Sequence, residues 1–141
     1  MKRKASAVWK GGLKDGKGRV TSGSGTLSDT PYSFSDRFED GKGTNPEELI
    51  AAAHAGCYAM ALSLILGNAG ITAEQIDAAA TVSLEQKDGG FAITAVHLDV
   101  QVTAPGADSK AVAEATEAAK TGCPVSKALN AEITMNSTFR G

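Results

Sequence analysis

Between Leu49 and Leu66 the chain carries no charged residue, and apolar side chains fall on every face of any helix drawn through it. The ends of that helix are spelled out. Asn45 can cap the first free amide groups, and Pro46 suits the first helical position because its missing N–H had no partner there. Glu47 and Glu48 sit in the first turn, where the helix dipole favours negative charge. Gly67, Asn68 and Gly70 supply the stop. Thr44 to Gly67 therefore reads as a helix with no wet side, which must either cross a membrane or be wrapped by other elements. About twenty apolar residues just span a bilayer. Here the run is diluted by alanines, His54, Gly56 and Ser63, and the flanking chain reads as a soluble αβ domain. A buried core helix is expected, and a second copy of the chain is expected to supply part of its wrap.

A chain of 141 residues is the size of one domain with a real core. The expectation is a single domain over 1–141, with an N-terminal β-meander and connector over 1–43. The long helix, a β-hairpin, two helices and a final strand then fill 44–141. A formal net charge of −2 argues against a nucleic-acid partner. The basic start Met1-Lys2-Arg3-Lys4 is followed by no apolar run, so no signal peptide, no membrane partner and a cytoplasmic location are expected. There the two cysteines are expected to rest as thiols, with any disulfide transient and catalytic. Two cysteines and two histidines, none at ligand spacing, argue against a structural zinc; no metal or cofactor is expected.

Lys4 to Lys10 reads as a first strand anchored by Val8 and Trp9, and Arg19 to Leu27 as a second, weaker one. Tyr32 to Phe38 alternates aromatic with polar residues and reads as a third, closing an antiparallel meander. Glu39 to Gly43 is the connector. Past the helix, Ile71 to Glu74 is a turn. Ala78 to Gln86 and Phe91 to Thr103 form a hairpin around Lys87-Asp88-Gly89-Gly90. The apolar phase of the second strand changes, from Phe91 and Ile93 to Val96, Leu98, Val100 and Val102, so a β-bulge is expected near Thr94. Asp108 to Thr121 reads as a helix capped by Asp108 or Ser109, Val125 to Asn130 as a short second helix, and Ala131 to Phe139 as the last strand. The order βββ-α-ββ-αα-β is an α+β plan, with antiparallel sheets around a long central buried helix.

Cys57 lies mid-helix with no charge within a turn. By position it is either a small buried hydrophobe, inert because apolar surroundings raise a thiol pKa, or a nucleophile that needs a cation from elsewhere. Cys123 precedes Pro124 and is placed to cap the following helix, where thiolates are stabilised; a plain capping role serves equally well. Arg37 is either an exposed edge charge or that cation. Glu47 suits the dipole, and Glu48 completes a capping box with Asn45. His54, three residues before Cys57, is a core histidine or half of a Cys/His hydrolase pair, for which no oxyanion arrangement is evident.

The run Arg37-Phe38-Glu39-Asp40-Gly41-Lys42-Gly43-Thr44-Asn45-Pro46-Glu47-Glu48-Leu49-Ile50 decides more than any residue alone. It continues through Ala52-Ala53-His54-Ala55 to Cys57 and Met60-Ala61-Leu62-Ser63-Leu64. With Gly122-Cys123-Pro124-Val125-Ser126, Pro31-Tyr32 and Gly89-Gly90-Phe91-Ala92-Ile93-Thr94, it closely resembles the OsmC and organic hydroperoxide resistance family over essentially the whole chain. The resemblance implies a thiol peroxidase folded as an intertwined α+β homodimer with active sites at the subunit interface. It implies Cys57 as peroxidatic cysteine, Cys123 as resolving cysteine, Arg37 as the cation that activates the thiol and Glu47 as the carboxylate that orients it. Arg19 is the fallback for Arg37. It also points to a hydroperoxide substrate, organic rather than hydrogen peroxide, and to a lipoyl-type dithiol reductant. A non-catalytic member of the same fold, binding a hydrophobic ligand or sensing oxidants, is the alternative.

Helix geometry adds a constraint. Ten residues separate Glu47 from Cys57, about 15 Å of rise on a straight helix. A Glu side chain cannot close that gap. If both serve one site, either the helix is broken between them or Glu47 comes from the partner chain, and the second is expected.

Overall fold

The structure is a computed structural model that describes residues 1–39 and 41–141. Asp40, in the expected connector, lies outside the described residues. The chain divides into two compact units, Met1–Leu49 and Ile50–Gly141.

In the first unit, β1 (Ala5–Lys10), β2 (Lys17–Ser22) and β3 (Thr30–Tyr32) form an antiparallel sheet in the order β1-β2-β3. The meander is as expected, but two of its elements are shorter. The second strand stops at Ser22 because the Ser/Thr-rich run beyond it folds on itself. Ser22 Oγ accepts from the Leu27 amide at 3.0 Å, and Ser24 and Thr26 bond each other. The third strand expected over Tyr32 to Phe38 is corrected: after Tyr32 the chain turns into a one-turn helix, α1 (Phe34–Phe38). Ser33 caps it by accepting from the Asp36 amide, and helical spacing stacks Phe34 on Phe38 at 4.8 Å. The aromatic alternation was a helical pair in a short segment, which strand periodicity mimics. Val8 and Trp9, expected as anchors, lie on the exposed β1, and Trp9 packs its ring on Tyr32.

The second unit holds most of the long helix, α2 (Pro46–Asn68). Asn45 caps it, accepting from the Glu48 amide at 2.8 Å. Glu48 accepts from the Thr44 hydroxyl instead of closing a capping box. After α2 come β4 (Gln75–Lys87) and β5 (Gly90–Thr103), an antiparallel hairpin. Asp88 and Gly89 take positive φ at its turn, as a two-residue connection requires. The register passes from Ser83–Ala95 to Leu84–Ile93, leaving Thr94 as the extra residue, so the expected bulge is present. The helices α3 (Ser109–Gly122) and α4 (Pro124–Ala128) follow, α3 capped by the Asp108 carboxylate. The last strand, β6 (Glu132–Arg140), pairs with β5 in parallel. That departs from the expected all-antiparallel sheets. Two helices intervene between β5 and β6, and such a crossover can return the chain in the same direction where a hairpin cannot. The fold class remains α+β.

The core of this unit joins Tyr58, Leu62 and Leu66 of α2, Val96, Leu98, Val100 and Val102 of β5, and Val112, Ala115 and Ala119 of α3. His54, Tyr58, Leu62 and Leu66 recur every four residues and make one fully buried stripe. Each large apolar side chain so buried contributes roughly 1.5–3 kcal/mol. The single chain wraps this helix only in part, and the share expected from a second copy is not seen in one chain. Gly56, Met60, Ser63 and Leu64 are exposed, Met60 at 77% and Leu64 at 66%, so one apolar face is bare. By length and composition α2 could cross a bilayer.

Candidate active site

Cys57 and Cys123 meet although they lie far apart in the sequence. Cys57 projects from the middle of α2 and is half-buried. Cys123 closes α3 and precedes Pro124 at the start of α4; it is fully buried. Its thiol makes no capping bond, so its place at the helix start serves position and not backbone satisfaction. Both are free thiols in side-chain hydrogen-bond contact, and the Val125 amide also donates to the Cys57 sulfur. Burial pushes the Cys57 thiol above its ordinary pKa; the contact with Cys123 adds to the rise, and the Val125 amide opposes it. Within this unit the sulfur is therefore held as a thiol.

Two neighbours on α2 fix that turn of helix. The Tyr58 hydroxyl donates to the Thr116 carbonyl of α3 at 3.0 Å and reaches the Met135 sulfur of β6 at 3.2 Å. His54 is fully buried, as the core-histidine reading requires, and its Nε2 bonds the Ser126 hydroxyl at 2.7 Å. Burial holds its pKa below the ordinary value, which keeps the ring neutral.

The first unit carries the expected cation and carboxylate as a formed pair. Arg37 Nε donates to Glu47 Oε1 at 2.6 Å. Glu47 is buried there; α1 presents the arginine and the first turn of α2 the carboxylate. Asn45 Nδ2 donates to the Asp36 carbonyl at 2.7 Å, and Asp36 Oδ1 accepts from the Gly43 amide at 2.8 Å, so α1 is tied to the chain that leads into α2. A Cβ at Gly43 would strike that carboxylate, which explains the glycine. The pair has one contact point. Among the described residues this is the guanidinium's one hydrogen bond, and its carbon stands 5.3 Å over the centroid of the Phe38 ring. Arg19, the fallback, donates instead to the Asp29 carbonyl at 3.1 Å.

Beside Arg37 the first unit has an apolar cavity of about 280 Å³, lined by Trp9, Leu13, Tyr32, Phe34, Phe38 and Pro46 among others. Sequence reasoning missed this cavity, although the clustering of aromatics before the long helix signals it. It also missed the Val125 amide at Cys57 and the role of Ser126. A backbone donor leaves no mark in composition, and Ser126 is marked only by lying one turn past Cys123. No group of residues able to hold a metal ion occurs among the described residues.

The chain has relatives of known family and fold. Residues 39–138 match the family model for OsmC-like protein. The chain is 53% identical over 134 residues to peroxiredoxin OsmC of Escherichia coli (strain K12), covering 95% of this chain and 94% of that one. The crystal structure of the organic hydroperoxide resistance protein OhrB of Bacillus subtilis superposes with a TM-score of 0.73 at 30% identity, over 96% of this chain and 98% of that one. An organic hydroperoxide resistance protein from Elizabethkingia anophelis, with thiocyanate bound, gives 0.75 at 27% identity, over 97% and 96%. With the family model covering well over half its length, the chain belongs to the OsmC-like protein family.

Proposed function

We propose that the chain is a cysteine-based peroxidase, a soluble cytoplasmic homodimer built from one 141-residue domain per subunit. It reduces organic hydroperoxides, and hydrogen peroxide less well. The observation that carries the reading is the contact between two free sulfurs, one on α2 and one at the head of α4, with an amide donor on the first. In the first step the Cys57 thiolate attacks the peroxide, the O–O bond breaks, and the products are a Cys57 sulfenic acid and an alkoxide that takes up a proton. In the second, the Cys123 thiol attacks that sulfenic sulfur. The S–O bond breaks, an S–S bond forms, and hydroxide leaves with the thiol proton as water. A lipoyl-type dithiol then exchanges with the disulfide and restores both thiols.

The thiol cannot ionise readily within its own unit, because burial raises its pKa. Arg37 is the cation suited to reverse this. Its fork can hold the peroxide and the departing oxygen while Glu47 fixes its aim. Ten residues separate Glu47 from Cys57 in the sequence, about 15 Å of rise on a straight helix, too far for both to serve one site in one chain. Arg37, bonded to Glu47, therefore serves the Cys57 of a second copy. The bare face of Met60 and Leu64 supports such a copy. The aromatic cavity beside Arg37 supports an organic tail on the substrate, and comparable rates on both oxidants would count against that preference.

Complementation tests the shared site. Cys57→Ser and Arg37→Ala subunits are co-expressed with different tags, and the mixed dimer is purified through both. Each parent dimer is expected to be inactive with cumene hydroperoxide and dihydrolipoamide. The mixed dimer pairs the intact arginine of one subunit with the intact cysteine of the other, so roughly half of wild-type activity is expected from its one complete site. An inactive mixed dimer would place all the groups of a site in one subunit and overturn the reading.

A further inference from the structure

Resting on the peroxidase reading, we propose that His54 and Ser126 are positioning residues for disulfide formation, holding the segment that carries Cys123 against the helix that carries Cys57. Cys57 lies one turn beyond His54 on α2, and Ser126 lies one turn beyond Cys123 on α4. The 2.7 Å bond between His54 Nε2 and Ser126 Oγ thus spans the same two elements as the sulfur contact and runs beside it.

The need for such a strut follows from what else holds α4. It is five residues long and buries no residue of its own. The turn of α2 beneath Cys57, by contrast, is pinned to the core through Tyr58. A disulfide requires the sulfurs to close to about 2.05 Å with Cα atoms within about 4.4–6.8 Å. The sulfenic acid also has a competing fate, since a second peroxide oxidises it to sulfinic acid. How often Cys123 wins depends on how much of the time α4 sits in the productive position.

The chemistry of the histidine suits the task. The ring is fully buried and neutral, so at its end the bond needs no charge. It holds in either tautomer, with Nε2 as donor to the hydroxyl or as its acceptor. Nδ1 is buried with no hydrogen-bond partner among the described residues, so Ser126 is the ring's one polar tie.

The test measures partition of the sulfenic acid. Reduced wild type, Ser126→Ala, Ser126→Thr and His54→Leu are treated with rising cumene hydroperoxide without reductant. Disulfide and sulfinic acid at Cys57 are counted by mass spectrometry. Losing one hydrogen bond is expected to raise the ratio of sulfinic acid to disulfide about fivefold in Ser126→Ala and in His54→Leu. Ser126→Thr keeps a hydroxyl and is expected to return the ratio to that of wild type. A purely structural role would lower the melting temperature and leave the ratio unmoved. An unchanged ratio in Ser126→Ala, or no rescue in Ser126→Thr, overturns the proposal while the peroxidase reading stands. No disulfide in wild type overturns both.

Discussion

The two compact units of this chain are held together by different means. In Ile50–Gly141 a helix, a sheet and a second helix close on a shared apolar core, with Tyr58, Leu62, Leu66, Leu98 and Val112 fully buried. In Met1–Leu49 no apolar side chain is buried among the described residues; what is buried there is Gly16, Gly18, Thr44 and Glu47. That unit rests on strand pairing, on the ties from Asp36 and Asn45, and on aromatic contacts between Trp9 and Tyr32 and between Phe34 and Phe38. The sulfurs belong to the unit with a core, and the guanidinium to the unit without one. Disulfide formation tolerates little error in position, which a packed framework supplies. A unit with open apolar surface is incomplete until something covers it, as expected of a part that works against a second copy.

The largest expected effect falls on the packed unit. Cys57→Ser removes the proposed nucleophile, and hydroperoxide reduction should fall by ~10⁴-fold or more, measured by single-turnover consumption of cumene hydroperoxide. Residual activity near that of wild type would move the chemistry to another residue. The next effect falls on the other unit. Arg37→Ala should cost about 10²–10³-fold in the rate of sulfenic acid formation, as loss of a donor to a developing charge does elsewhere. Its melting temperature should also fall, because the buried Glu47 carboxylate loses its partner, but folded Arg37→Ala protein should still show the loss of rate. A normal rate in folded Arg37→Ala would mean that the pair holds the fold and not the chemistry.

Stability sharpens the same contrast. Leu62→Ala empties a fully buried site and should cost about 2–5 kcal/mol, read from urea unfolding. Val8→Ala, on an exposed strand, should stay within about 0.5 kcal/mol in any form in which the first unit is uncovered. A loss at Val8 that grows with protein concentration would identify β1 as part of the covered surface.

The parts of this fold that the sequence made legible are those with a local cause. Asn45 and Pro46 marked the start of α2 through backbone chemistry that acts within one turn. Asp88-Gly89 marked the hairpin because few residues take positive φ, and the phase change between Ile93 and Val96 marked the bulge. What stayed hidden has a non-local cause. The parallel pairing of β6 depends on how two helices carry the chain across, and Glu132–Arg140 holds no trace of its neighbour's direction. Phe34 and Phe38 read equally as strand alternation or a helical pair, and the Ser33 cap decided between them. The sulfur contact needed the fold, since neither Cys57 nor Cys123 carries a local sign of its partner. Only resemblance to known chains suggested the pair in advance.

The smallest expected effect is a pH dependence, and it belongs to the packed unit. His54 is buried and neutral, with its folded-state pKa held below the ordinary 6.5 by loss of water. As pH falls, the unfolded chain takes up a proton on this ring before the folded chain does. The contribution of the neutral ring to stability is therefore whole above 6.5, and it is lost as pH falls through the lowered pKa of the folded state. The measurement is a difference, which isolates this ring from the rest of the chain. Thermal unfolding of wild type and of His54→Gln, which does not titrate but can still reach Ser126, is followed from roughly pH 7.5 down to 5. The advantage of wild type over the variant should shrink on the acid side, by less than the cost of Leu62→Ala. A constant difference for His54 would mean that the ring accepts its proton without opening the core. The contrast between a rigid unit and an open one would then fail at the residue where it is drawn most narrowly.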